Sequence, residues 1–120
     1  MDGTFDDDQV HAWLKCIADN AWVSLHYESP GLMGLGRGEI AGGGYVRKRV
    51  TFSTPSSRTM WSLTDAKFSG LNANRLTHFG IWNGAVNGKI RAYGMLPDNV
   101  IVTAGGGYVL TAGKLALSIE

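Results

Sequence analysis

Glycine punctuation constrains this chain more than any other feature. From Ala21 onward, short segments rich in valine, isoleucine, threonine and aromatic residues are separated by glycine or asparagine at intervals of about ten residues, the rhythm of antiparallel sandwiches and barrels. The chain holds 17 glycines against 3 prolines in 120 residues. No three-residue period runs through them, so neither a collagen helix nor a disordered tract fits, and the glycines belong in turns. A chain of this size buries enough surface to fold as one domain without a metal or a disulfide, and its single cysteine, Cys16, rules out an internal bridge.

The expected fold is mainly β: an antiparallel β-sandwich carrying one short N-terminal α-helix, in a single domain spanning 1–120. Residues 1–20 form an acidic lead and the helix, and 21–120 form the sandwich. Val10, Trp13, Leu14 and Ile17 recur at the i, i+3, i+4, i+7 spacing of a helical apolar stripe, which the sandwich or another chain must cover. Asp2, Asp6, Asp7 and Asp8 precede this stripe and complement the positive end of the helix dipole, and Asp19-Asn20 ends the helix. The strands number about six to eight. In Trp22–Tyr27, period-two alternation sets Val23, Leu25 and Tyr27 on one face and Trp22, Ser24 and His26 on the other. Tyr45–Phe52 reads as a strand with Tyr45, Arg47, Arg49 and Thr51 on a face that is solvated or meets a partner. Weaker segments follow at Met60–Leu63 and Ala66–Phe68. Arg75–Trp82 and Lys89–Leu96 flank two Asn-Gly turn signals in Asn83–Gly88, which predicts a hairpin. Val100–Thr103, Gly107–Leu110 and Leu115–Ile119 complete the set.

No catalytic or metal-binding constellation assembles from these residues. His11 and Cys16 lie five positions apart on the helix, about 140° around its axis, and cannot face each other; Cys16 reads as a packing residue. His11, His26 and His78 are scattered without ligand spacing, and strand histidines that are hydrogen-bonded or half exposed account for them better than a metal. The glycines of Gly34–Gly38 and Gly42–Gly44 lack the lysine, hydroxyl and strand-to-helix setting of a phosphate loop. Glu28 and Glu39 read as solvated loop carboxylates rather than a glycosidase pair. No cofactor is expected.

The balance of 11 basic and 10 acidic side chains, a net +1, argues against nucleic acid as a partner, although setting aside the acidic first eight residues leaves +5. Arg37, Arg47, Lys48, Arg49 and Arg58, with Tyr45 and Trp61, would supply any basic, aromatic face. No stretch reaches the roughly 20 apolar residues of a membrane span, and the acidic start differs from a signal peptide, so a soluble, cytoplasmically made chain is expected. Ser29–Gly38 is the longest turn-rich loop. Its Leu32, Met33 and Leu35 gain little from being held in water, so the loop is expected to become ordered against a partner by shape.

Read in order, several sequence words resemble a family of small tailed-bacteriophage virion proteins, the minor tail or tail-fibre type found in phages of actinobacterial hosts. They are Leu25-His26 with Ser29-Pro30-Gly31, Glu39–Arg47 running into Val50-Thr51-Phe52, Thr77–Trp82, Tyr93–Leu96 and Gly113-Lys114-Leu115. The resemblance covers Ala21 to Ile119, and it departs at Ser53–Ala73, which is less rich in serine and alanine and contains Trp61. It implies a non-enzymatic β-sandwich in the virion, made in the host cytoplasm, whose partners are itself, as a trimer or higher symmetric assembly, and other virion proteins. A capsid decoration protein and a host-surface carbohydrate-binding module are the alternatives. The interface candidates are Val10, Trp13, Leu14 and Ile17 on the helix, Leu32, Met33 and Leu35 in the loop, and Tyr45, Arg47 and Arg49 on the basic strand.

Overall fold

A computed structural model describes residues 7–30, 37–56 and 59–118. Among them one helix, α1 (Asp7–Ala18), is followed by eight strands: β1 (Ala21–His26), β2 (Lys48–Val50), β3 (Thr59–Trp61), β4 (Ala66–Leu71), β5 (Asn74–Trp82), β6 (Ile90–Val102), β7 (Gly106–Leu110) and β8 (Ala116–Ser118). The strands form a four-stranded sheet in the order β2-β1-β5-β6 and two ribbons, β3-β8 and β4-β7, with every pairing antiparallel. The mainly antiparallel β fold with one short helix is therefore the one expected. The sheet and ribbons stay open, packed as a sandwich is.

One core joins these parts. Val10 and Leu14 come from α1, Val23 and Leu25 from β1, Phe79 and Ile81 from β5, Met60 from β3, Phe68 and Leu71 from β4, and Leu110 and Leu117 from β7 and β8. The helix contributes two turns of its stripe. Trp13 departs from expectation: it is 43% exposed, because it lies at the margin of the stripe while Val10 and Leu14 take the centre. Ile17 is partly buried against the core. Cys16 is exposed rather than packed.

The 83–88 hairpin forms as predicted. Asn87 (φ 56°) and Gly88 (φ 75°) both adopt the left-handed conformation of a tight reversal. The Asn83 side chain accepts a hydrogen bond from the Lys89 amide at 2.8 Å and ties the turn to its own exit. Two strand boundaries differ from the sequence reading. Val100–Val102 continues β6 rather than standing alone, because a register break opposite Leu76–His78 absorbs residues around Pro97 and lets the pairing resume. The strand expected over Tyr45–Phe52 shrinks to Lys48–Val50. Gly42 and Gly43 take positive φ and turn the chain inward, so Tyr45 leaves the ladder and stacks on Phe68, with ring centroids 6.1 Å apart. Val46 is left exposed in consequence, and only Val50 of that predicted apolar face is fully buried.

Candidate functional site

Strand β1 is buried on both faces, and the outer one is polar. Alternation turns Trp22, Ser24 and His26 away from the apolar core, and the β5 register sets Trp82, Gly80 and His78 across from them. Ser24 and His26 are nonetheless fully buried, and Trp82 nearly so. Their cover is the segment 37–47. It pairs along the free edge of β1, where the Tyr27 amide donates to the Gly38 carbonyl and the Ile40 amide to the Leu25 carbonyl, each at 3.0 Å, and then carries Arg47 back over Trp82.

Buried polar atoms must find partners, and here each does. Trp82 Nε1 donates to Ser24 Oγ at 2.7 Å. Ser24 Oγ lies 2.6 Å from His26 Nε2, and His26 Nδ1 lies 2.7 Å from the Arg37 carbonyl. A carbonyl can only accept, so Nδ1 carries the proton, Nε2 accepts from the serine, and the imidazole is neutral. Burial acts in the same direction and depresses the His26 pKa below its ordinary value, against weaker opposition from the Arg37 carbonyl and Glu39. A serine hydrogen-bonded to a histidine invites a hydrolase reading. This pair is sealed from solvent, and its third partner is a main-chain carbonyl, so it fastens the loop to the sheet.

Arg47 is the hub of the adjoining network. Its guanidinium grips Glu39 through Nε and Nη2, both at 2.9 Å, and donates from Nη1 to the carbonyls of Asn87 at 2.7 Å and Gly84 at 3.2 Å. It also lies 3.6 Å above the Trp82 ring centroid. Tyr45 donates to Glu39 Oε2 at 2.6 Å and accepts from the Leu25 amide at 3.3 Å. Burial alone would raise the Glu39 pKa, but the hydrogen bonds from Arg47 and Tyr45, with the Arg47 charge, outweigh it and hold the carboxyl below the ordinary value. The Tyr45 hydroxyl is pushed far up by burial and by its bond to that carboxylate. Glu39 is thus no solvated carboxylate, and Arg47 spends its charge inside its own chain. Arg49, exposed, lines a separate recess of about 330 Å³ with Lys15, Asp19 and Pro55.

Beside the Arg47 hub a cleft of about 490 Å³ opens between the 39–47 segment and the hairpin turn, bounded by Trp22, Val46, Val86 and Asn87. The structure brings Tyr45 and Arg47 together and leaves Arg49 and the helix residues elsewhere. Leu32, Met33 and Leu35 lie outside the described residues. Among the described residues no group of histidine, cysteine and carboxylate side chains gathers as a metal site would require. No helix described is long and apolar enough to cross a membrane. Glu39 and Ser24 are the participants that the sequence reading missed. The available signal was a polar β1 face opposite Gly80: a Cβ there would stand 2.6 Å from Ser24 Oγ, so the glycine marks a closely covered face.

The family described as Podophage GP4 fiber I protein gp80 matches residues 17–118, which takes in all eight strands and the whole polar network. The chain belongs to this phage fibre protein family. The expected kinship with fibre-type proteins of tailed phages holds at that level, and the match begins near the end of α1, so the strands rather than the helix carry it. Comparison with curated proteins gives no match. Membership in the fibre family supports a structural role in a phage tail, and the fastened, solvent-sealed network suits such a role.

Proposed function

We propose that this chain is a non-enzymatic minor tail component of a bacteriophage virion, associated with the tail tip or fibre, that works through symmetric protein–protein assembly with itself, as a trimer or higher, and with other virion proteins. The fibre-family match across all eight strands carries this reading. The sequence words shared with phages of actinobacterial hosts extend it to a host of that kind. The interior supports it as well: the polar side chains that could have formed a reactive centre are consumed in mutual hydrogen bonds beneath the 37–47 segment, which rigidifies the module.

Quantitative mass spectrometry of purified virions, with antibody-gold labelling of the intact particle, tests the proposal. Label at the tail, with a copy number well below that of the shell subunit, is expected. Label spread over the head, at a copy number matching the shell, would make the protein a capsid decoration protein and overturn the reading. A glycan-array signal abolished by Trp61→Ala would overturn it in favour of a host-surface binding module.

A further inference from the structure

The sheet order leaves β6 at one end of the four-stranded sheet, hydrogen-bonded to β5 along one side. Among the described residues no strand pairs along its other side. In an antiparallel ladder alternate residues direct their amide and carbonyl away from the partner, so a regular edge is a row of unfilled donors and acceptors. Edges of this kind are ordinarily blunted by charge, proline, bulges or shortness. Here the register break and Pro97 come only after Met95, and from Ile90 to Leu96 the one charged residue is Arg91. Along that stretch Tyr93 and Met95 share the sheet's outer face, opposite Gly80 and His78 of β5, and are 36% and 69% exposed.

We infer that the free edge of β6 is the pairing surface for a second copy of this chain, joined antiparallel about a two-fold axis near Gly94. An axis perpendicular to the sheet keeps each side chain on its own face, so it must pass through a residue position. Placed at Gly94, it sets Tyr93 opposite Met95 of the second copy and Met95 opposite its Tyr93, two cross-strand sulfur–aromatic pairs. The basic end of each strand, Lys89 and Arg91, then meets the far end of the other, where Asp98 follows Pro97 in the chain. An axis nearer the turn would crowd the basic ends together, and one further along would fall in the register break. Head-to-tail extension onto the opposite sheet edge is disfavoured by like charge, since β2 carries Lys48 and Arg49. The contact rests on the self-association proposed above and narrows it, because assemblies built through it contain an even number of chains.

Light scattering and native mass spectrometry of the full chain test the contact. The unaltered protein is expected to run as an even-numbered oligomer, and Tyr93→Lys with Met95→Lys to halve its mass, with the circular dichroism unchanged. A second measurement stays informative if that variant fails to fold. In a Cys16→Ser background, Tyr93→Cys and Met95→Cys are mixed and oxidised; disulfide-linked dimer should form in the mixture and not in either variant alone. An oligomer unaffected by the lysines, or cross-linking without the mixed preference, overturns the β6 contact and leaves self-association standing. A monomer at all concentrations overturns both.

Discussion

Arg47 reaches over eight residues of sequence to Glu39 and nearly forty to Gly84 and Asn87, so its removal exposes several weaknesses at once. The pair's side chains are only 10% and 21% exposed. Arg47→Ala should therefore strand a half-buried carboxylate and cost about 2–3 kcal/mol in chemical denaturation. Arg47→Lys should recover little of it, because an ammonium cannot fork to two carboxylate oxygens while holding two carbonyls. The pH dependence follows from the same contacts. His26, depressed by burial, stays neutral in the fold where the unfolded chain takes up a proton, so stability should begin to fall as pH drops below His26's ordinary value of 6.5. Glu39 is depressed below its ordinary 4.5, so its contribution is complete above that pH and is lost as pH falls through the lower folded value. Thermal midpoints from pH 8 to pH 3 should show both declines, with His26→Gln removing the first and Glu39→Gln the second. Gly80→Ala would drive its methyl toward Ser24 Oγ and the Ile90 side chain and should cost about 1–3 kcal/mol by the same assay.

At the scale of elements, α1 separates two residues that the sequence placed on one stripe. Leu14 is fully buried and Trp13 is not, so Leu14→Ala should cost about 3 kcal/mol and Trp13→Ala about 1 kcal/mol or less in thermal or urea unfolding. Equal losses would mean that Trp13 is covered after all. The hairpin and the helix were legible because their signals are local: an Asn-Gly turn fixes its own φ values, and a 3.6-residue period needs no distant partner. The basic segment misled for the opposite reason. Tyr45–Phe52 has a strand's composition, but Phe68, twenty-three positions away from Tyr45, draws that ring inward, and no local pattern encodes such an attraction. Glu39 was hidden likewise. Its partners lie on the far side of a glycine turn, and an isolated carboxylate in a loop looks solvated until the fold brings an arginine to it.

For the molecule as a whole, the helix, the four-stranded sheet and both ribbons feed one core. We expect scanning calorimetry to give a single transition with equal calorimetric and van't Hoff enthalpies, as a single cooperative domain requires. Two resolved transitions would split the ribbons from the sheet and refute that unity. Family membership was legible in the order of short sequence words spread over the strands, because a fibre module is specified by its turns and strand faces throughout. Assembly is written less plainly. The edge of β6 offers backbone atoms, which every residue type supplies equally, and only the finished sheet order reveals that they lack a partner.

The placement of the four tryptophans gives the protein an optical signature. Trp13 and Trp61 meet solvent and Trp22 is half covered, whereas Trp82 lies under the Arg47 guanidinium with its indole N–H held by Ser24. Emission from Trp82 should be the bluest of the four and the least accessible to a dissolved quencher. Releasing the 37–47 segment would redden that emission and open it to quenching before the rest of the chain lets go, so ordinary fluorescence can watch this one fastening while the fold around it still stands.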